Sequence, residues 1–224
     1  MSIPIQPVEK PARLSESEVA ADYIRAKIFS GEYHENMKLS ERKLQQELGC
    51  GLNAIRQALT QLQVENLLTV EPQAGHFVRG VSGEESREIL GARFALDTFL
   101  AWHLAQKKEL SLQEAIECNQ RLWRIAESGV CDEVTKQRFI ADDIEFHCAL
   151  ARAAKFPLIA DWIRGLENRI RLVAMPELTV DQFRDVAREH QQILEAIRPA
   201  EGTTDQEKVR SAIRHHLANT SLRW

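Results

Sequence analysis

With 224 residues, 44% of them hydrophobic, the chain is long enough for one large or two small cores, which excludes a disordered chain; its formal charge of -4, from 29 basic and 33 acidic residues without a long run of either sign, proposes neither an acidic tail nor a nucleic-acid binder. Cys50, Cys118, Cys131 and Cys148 form no CxxC pair, and the start MSIPIQPVEKP lacks the apolar core of a signal peptide, so a reducing cytoplasm is the expected location. The most apolar stretches, such as FALDTFLAWHLA, are too short and too interrupted by Asp97 and His103 to cross a membrane.

The first predicted helix begins at LSESEVAADYIRAKIFSG. Ser15 followed three residues later by Glu18 is a capping box, Val19, Tyr23, Ile24 and Ile28 recur at helical spacing, and Gly31 ends it. In LSERKLQQELG, Ser40 caps a helix of barely two turns with Leu44 and Leu48 on one face and Gly49 as its stop. LNAIRQALTQLQVEN then places Ile55, Leu59 and Leu62 on one stripe and closes at Asn66. The period changes at LLTV and HFVR, which flank the turn EPQAG and read as a hairpin. Three short helices followed by a two-stranded hairpin is the winged helix-turn-helix arrangement, in which the third helix enters the major groove.

Beyond RGVSG no strand signal appears. Helical patterns run from about 84 to 106, 111 to 126, 132 to 154, 157 to 175, 180 to 197 and 205 to 222. The expected fold class is mainly α: a winged helix-turn-helix domain over 1–80 and an antiparallel all-helical bundle over 81–224, where metal and ligand sites are built from inward side chains. Phe94, Phe99, Trp102, Trp123, Phe146 and Trp162 are expected in its core, since amphipathic packing already accounts for them.

One stretch of the bundle, DDIEFHCAL, carries unusual chemistry. Asp143 and His147 lie four apart on one helical face, beside apolar Phe146 and Leu150, whereas Asp142 and Glu145 point elsewhere. Such a pair alone is most often a surface contact of about 0.2–0.5 kcal/mol. His190 in EHQQIL and His216 in AIRHHL raise the total to three histidines and a carboxylate, a set suited to zinc, nickel, manganese or iron.

The order of elements, together with IFSGEYHENMKLSERKLQQELG, AIRQALTQLQVENLLTV with AGHFV, RFALD, DIEFHCALARAA, EHQQILEAI and AIRHHL, resembles the GntR family of bacterial transcription regulators, in the FadR-like branch with an FCD ligand domain. The resemblance covers about residues 14–217. It implies that Arg42, Arg56, Gly75 and His76 face operator DNA: arginines at helix fronts grip phosphate or fork onto guanine, and Gly75 permits close approach of the wing. For Arg42 and Arg56 the plainer reading is a solvated helix residue, against which the winged fold favours contact; for His76 the equal alternative is a wing-tip residue facing solvent. The entrance to the third helix departs from the family's Ser-Arg-Thr-Pro and has Gly51, Leu52, Asn53 and Ala54, so one arginine is missing there; Asn53 is the candidate to read adenine in its place. Residues 1–80 hold nine basic against ten acidic residues, so few phosphate contacts are expected.

In the metal-binding subset of FCD domains the matching positions bind one divalent ion, which implies Asp143, His147, His190 and His216 as ligands. His215 is the rival to His216, and the family's spacing, here Asp205, Val209 and Ile213, selects His216. Two departures are RPAEGTT, which lengthens the turn between the last two helices, and Phe156, where the family often has an asparagine whose loss could reshape the cavity. Arg93 in RFALD matches a cavity-facing arginine that would hold a small carboxylate effector bidentately; the competing reading pairs it with Asp97. The expected protein is a homodimeric, ligand-responsive repressor, not an enzyme. A helical metalloenzyme is the alternative, without HExxH or paired Glu-x-x-His motifs to support it. A purely structural metal, or an acyl-CoA effector, is the milder one.

Overall fold

The structure is a computed structural model that describes residues 14–107, 111–174, 178–198 and 206–222. The chain divides into two compact units, Met1–Arg79 and Gly80–Trp224.

In the first unit, Ser15 caps α1 (Glu16–Phe29): its hydroxyl accepts from the Glu18 amide, and the Glu18 carboxylate accepts from the Ser15 amide. α1 packs on α3 (Leu52–Val64), but not through the whole stripe expected. Val19 is exposed and Tyr23 half-buried, whereas Ala20, Ala21, Ile24 and Ile28 are buried. The two alanines let the helices approach closely, which the bulkier residues beside them would prevent. Between them, α2 (Glu41–Leu48) is capped by Ser40 and stopped by Gly49 in the left-handed conformation, with φ 66°. α3 buries Ile55, Ala58, Leu59 and Leu62, and Asn66 leaves it at φ 60°.

The expected hairpin forms from β2 (Leu68–Glu71) and β3 (Gly75–Val78), with Leu68 opposite Val78 and Glu71 opposite Gly75. A further strand, β1 (Lys38–Leu39), pairs with the other edge of β3 and makes the order β1-β3-β2. Two residues carry too little alternation to announce a strand; the free main-chain edge of β3 recruits them.

The second unit is helical: α4 (Gly83–Ala105), α5 (Gln113–Ser128), α6 (Glu133–Ala153), α7 (Pro157–Gly165), α8 (Glu167–Ala174), α9 (Val180–Ile197) and α10 (Gln206–Leu222). Ser82, Asp132 and Thr179 cap α4, α6 and α9 with side-chain oxygens. α6 packs against α5, α7, α8 and α4, and α9 against α5, α10 and α4, so α6 and α9 run through the middle of the unit. Phe139, Phe146 and Phe183 are fully buried there, the rings of Phe139 and Phe183 stacked at 4.3 Å.

Two expectations are corrected. The helix expected over 157–175 is two: the Leu166 amide bonds to Ile163 three residues back, a tightened turn beside the helix-weakening Gly165, and α8 starts afresh to pack on α6. Its expected last residue, Met175, like Asp205 and most of RPAEGTT, lies outside the described residues. Of the six aromatic residues assigned to the core, Phe146 is buried, Phe94 and Trp123 are half-buried, and Phe99, Trp102 and Trp162 are exposed. Helical periodicity marks an apolar face but does not say which faces the bundle interior covers.

Candidate metal centre and nucleic-acid interface

Asp143, His147, His190 and His216 converge from α6, α9 and α10, each offering a ligand atom within 4.8 Å of the others. His147, His190 and His216 are buried and Asp143 is half-buried. His215 is exposed, so the turn of α10 brings in His216 alone. Phe146 closes the back of the cluster, its ring stacked on His190 at 3.8 Å and 6°. Asp142 pairs with Arg121 at 2.6 Å, and Glu145 pairs with Arg152 and Arg164, so both carboxylates beside Asp143 and His147 are spent elsewhere.

Both ring nitrogens of His147 and of His190 are buried without an aligned hydrogen-bond partner among the described residues. His190 Nε2 lies 3.2 Å from Asp143 Oδ1 and His147 Nδ1 lies 3.3 Å from Asp97 Oδ1, close contacts but not well-directed bonds. A buried polar atom left in this state costs about 1–3 kcal/mol. A divalent cation taking one lone pair from each imidazole and one from the carboxylate would relieve that cost, and the three-nitrogen, one-oxygen set suits it.

Protonation favours the same fit. Burial holds His190 neutral, its pKa pushed down to about 3 against the pull of Asp143, and burial also lowers His147, with Arg93 adding to the effect. Burial alone would raise the Asp143 carboxyl, but His190 beside it, with His147 and His216, holds it well below the usual carboxylate range. Neutral imidazole and ionised carboxylate are the forms that bind a metal.

Asp143 and His216 also line a cavity, with Ile89, Arg93, Phe139 and Ile170 among its other walls. Arg93 satisfies both readings of the sequence at once. It lines the cavity, and its Nε donates to Asp97 Oδ2 at 3.1 Å, with Arg93 4% and Asp97 0% exposed. Phe156 is not among the residues lining this cavity; it packs edge-on against His103 at 4.8 Å and on Phe99 at 5.3 Å.

Two carboxylates of this centre escaped the sequence. Asp97, which the sequence pairs with Arg93, lies with its Oδ1 3.3 Å from His147 Nδ1, and Glu189, 4% exposed, accepts from His216 Nδ1 at 2.9 Å. Their signal was a charge on an apolar helical face: Asp97 stands near Leu100 and Ala101, and Glu189 between Val186 and Ile193.

In the winged unit, Arg42 on α2 and Asn53 in the first turn of α3 are exposed. Arg56 is exposed and its Nε donates to Glu41 at 2.9 Å. Gly75 opens β3 at φ 108°, a conformation that favours glycine, and His76 is half-buried beside it. A side chain at Gly75 would meet the exposed Lys38, a basic residue next to the wing that hydropathy patterning did not single out. At the entrance of α3 the Gly51 amide donates to Glu16 Oε2 at 2.9 Å, so a carboxylate occupies the helix end that departs from the family's arginine-bearing entrance.

A winged helix-turn-helix joined in one chain to a helical bundle with an internal cavity defines a DNA-binding transcriptional regulator. Residues 16–78 match the gntR family of bacterial regulatory proteins and residues 88–219 match the FCD domain. The chain belongs to the GntR family, in the branch that carries an FCD domain. It is 27% identical to an Escherichia coli (strain K12) protein named for regulation of the L-lactate dehydrogenase operon, over 93% of this chain and 85% of that one. It is 25% identical to a Paenarthrobacter nicotinovorans protein named for repression of a D-xylose utilization operon, over 92% and 88%. A GntR regulator structure from Rhodococcus sp. RHA1 shares the fold, with a TM-score of 0.70 at 20% identity over 94% of this chain and 97% of that one. No helix among the described residues is long and apolar enough to cross a membrane.

Proposed function

We propose that the protein is a cytoplasmic operon repressor that binds operator DNA as a homodimer and responds to a small carboxylate through a divalent metal centre. The observation that carries this reading is the cluster of Asp143, His147, His190 and His216 on the wall of the Arg93 cavity, with imidazole nitrogens buried and unsatisfied. Residues 1–80 form the DNA-binding domain in this reading, and residues 81–224 the metal-binding, effector-binding and dimerisation domain. Asp143, His147, His190 and His216 hold a zinc, nickel, manganese or iron ion. When bound, the ion supplies a fixed positive charge for a carboxylate. Arg93 supplies the second: with its Nε given to Asp97, the remaining guanidinium N–H groups are available to fork onto a carboxylate in the cavity. The name of the Escherichia coli relative makes L-lactate the first effector to test.

On the DNA side, Arg42 and Arg56 grip the backbone or a guanine edge, Asn53 reads a base at the front of α3, and Gly75 and His76 carry the wing to the flanking groove. Arg56 must first release Glu41, and Glu16 repels phosphate at the entrance of α3, so affinity is modest and weakly salt-dependent for this fold. A mobility-shift assay on operator fragments selected from random sequence tests the proposal, with Zn(II) and L-lactate present or absent. A sequence-specific complex altered by L-lactate is expected; no sequence-specific binding under any of these conditions sinks it.

A further inference from the structure

Two of the three clustered histidines face a buried carboxylate with Nδ1, the ring nitrogen nearer the backbone. His216 Nδ1 donates to Glu189 Oε2 at 2.9 Å, and His147 Nδ1 lies 3.3 Å from Asp97 Oδ1. A neutral imidazole whose Nδ1 carries the proton has its lone pair on Nε2, so a carboxylate at Nδ1 selects the tautomer and turns the other nitrogen outward. His190 is different: its Nε2 faces Asp143 at 3.2 Å, and what packs over its ring is Phe146. Asp97 has a second obligation, because its Oδ2 accepts from Arg93 Nε, and Arg93 lines the cavity. Arg93, Asp97 and His147 therefore form a continuous run of polar contacts from the cavity wall to the cluster, with Asp97 and His147 fully buried.

We propose that Asp97 and Glu189 are positioning residues that fix His147 and His216 with Nε2 toward a divalent cation, and that Asp97, shared with Arg93, couples the occupancy of the cavity to the strength of the metal centre. The proposal rests on the metal reading above and adds its regulation. An anion that draws the charge of Arg93 toward the cavity leaves more of the Asp97 charge for the Nδ1 proton of His147. That makes His147 a more basic ligand and tightens metal binding. By linkage, a bound metal raises the affinity for the anion by the same factor.

The test uses the full chain, stripped of metal by chelation. Long-range proton–nitrogen correlation of the imidazoles in the metal-free protein reads the tautomers directly. His147 and His216 are expected as single Nδ1–H forms; Asp97→Asn should leave His147 mixed and His216 unchanged, and Glu189→Gln the reverse. Zn(II) titration against a chromophoric chelator should then show affinity weakened roughly 10–100-fold in each variant. Arg93→Gln should change Zn(II) affinity several-fold in the native background and much less on Asp97→Asn, the non-additivity that a shared relay requires. Nε2–H tautomers in the native protein, or native Zn(II) affinity in both carboxylate variants, overturn the positioning roles. Equal effects of Arg93→Gln in both backgrounds overturn the coupling, because Arg93 would then act on the ion by charge alone. Failure of the native protein to take up zinc, nickel, manganese or iron ends the metal reading, and the tautomers still decide the orientation. Circular dichroism of each metal-free variant separates these results from a failure to fold, and Glu189→Gln stands independently should Asp97→Asn not fold.

Discussion

His190→Ala separates a metal ligand from a packed core histidine. A structural four-ligand zinc site is worth about 10–16 kcal/mol, so an even share per ligand is roughly 2.5–4 kcal/mol, a loss of about 100- to 1,000-fold in affinity. In the metal-free protein two effects oppose each other. Losing the ring stacked on Phe146 costs roughly 2–3 kcal/mol of packing, while removing ring nitrogens that have no aligned partner recovers about 1–3 kcal/mol. The metal-free variant should therefore melt close to the native protein. With Zn(II) at a thousand times the native dissociation constant, the native protein gains about 4.1 kcal/mol, and the variant only about 0.4–1.4 kcal/mol. For a unit of this size that is a rise in Tm of roughly 8–16 °C in the native protein, most of it missing in the variant. Metal analysis of the purified proteins and thermal melts with and without Zn(II) provide the measurement. A variant that carries one ion per chain at native affinity, or a native protein whose Tm does not respond to any of the four metals, refutes the reasoning.

Other perturbations have equally definite outcomes. Burial keeps His190 neutral down to about pH 3, while in the unfolded chain it takes a proton near its ordinary value. The unfolded state therefore binds the extra proton on acidification, and the metal-free protein should hold its Tm above about pH 6.5 and lose stability steadily as the pH falls toward 3; a Tm flat between pH 8 and 5 would contradict this. Phe183→Ala, which removes a fully buried ring stacked on Phe139, should cost about 3–5 kcal/mol in urea denaturation, and a loss under about 1 kcal/mol would mean that this core is not packed as described. Arg42→Ala should weaken operator binding across sequences and lower the salt slope by about one, whereas Glu41→Ala should strengthen binding by freeing Arg56; anisotropy titrations at several salt concentrations check both signs.

Local rules carried far into this chain, because caps and turns depend on a few neighbouring residues. Ser15 with Glu18, Ser40 with Gly49, and the hairpin about Pro72 to Gly75 all form as their spacing dictates. The sequence by itself also determined the winged helix-turn-helix followed by a helical bundle, and the ligand candidates Asp143 and His147, since residues four apart on one helix must share a face. What it could not determine is contact between segments distant along the chain. The strand Lys38–Leu39 exists only because β3 offers an edge, the break at Leu166 comes with α8 packing on α6, and the exposure of Phe99, Trp102 and Trp162 depends on which face the bundle covers. The candidate centre divides along the same line. Residue types and helical spacing singled out Asp143 and the histidines, and the resemblance to FCD domains made four of them ligands, but only the packing of α4, α6, α9 and α10 sets Asp97 beside His147, Glu189 beside His216, and Arg93 on the cavity wall. A buried charge needs a partner, and that partner is chosen by the tertiary fold, not by its distance along the sequence.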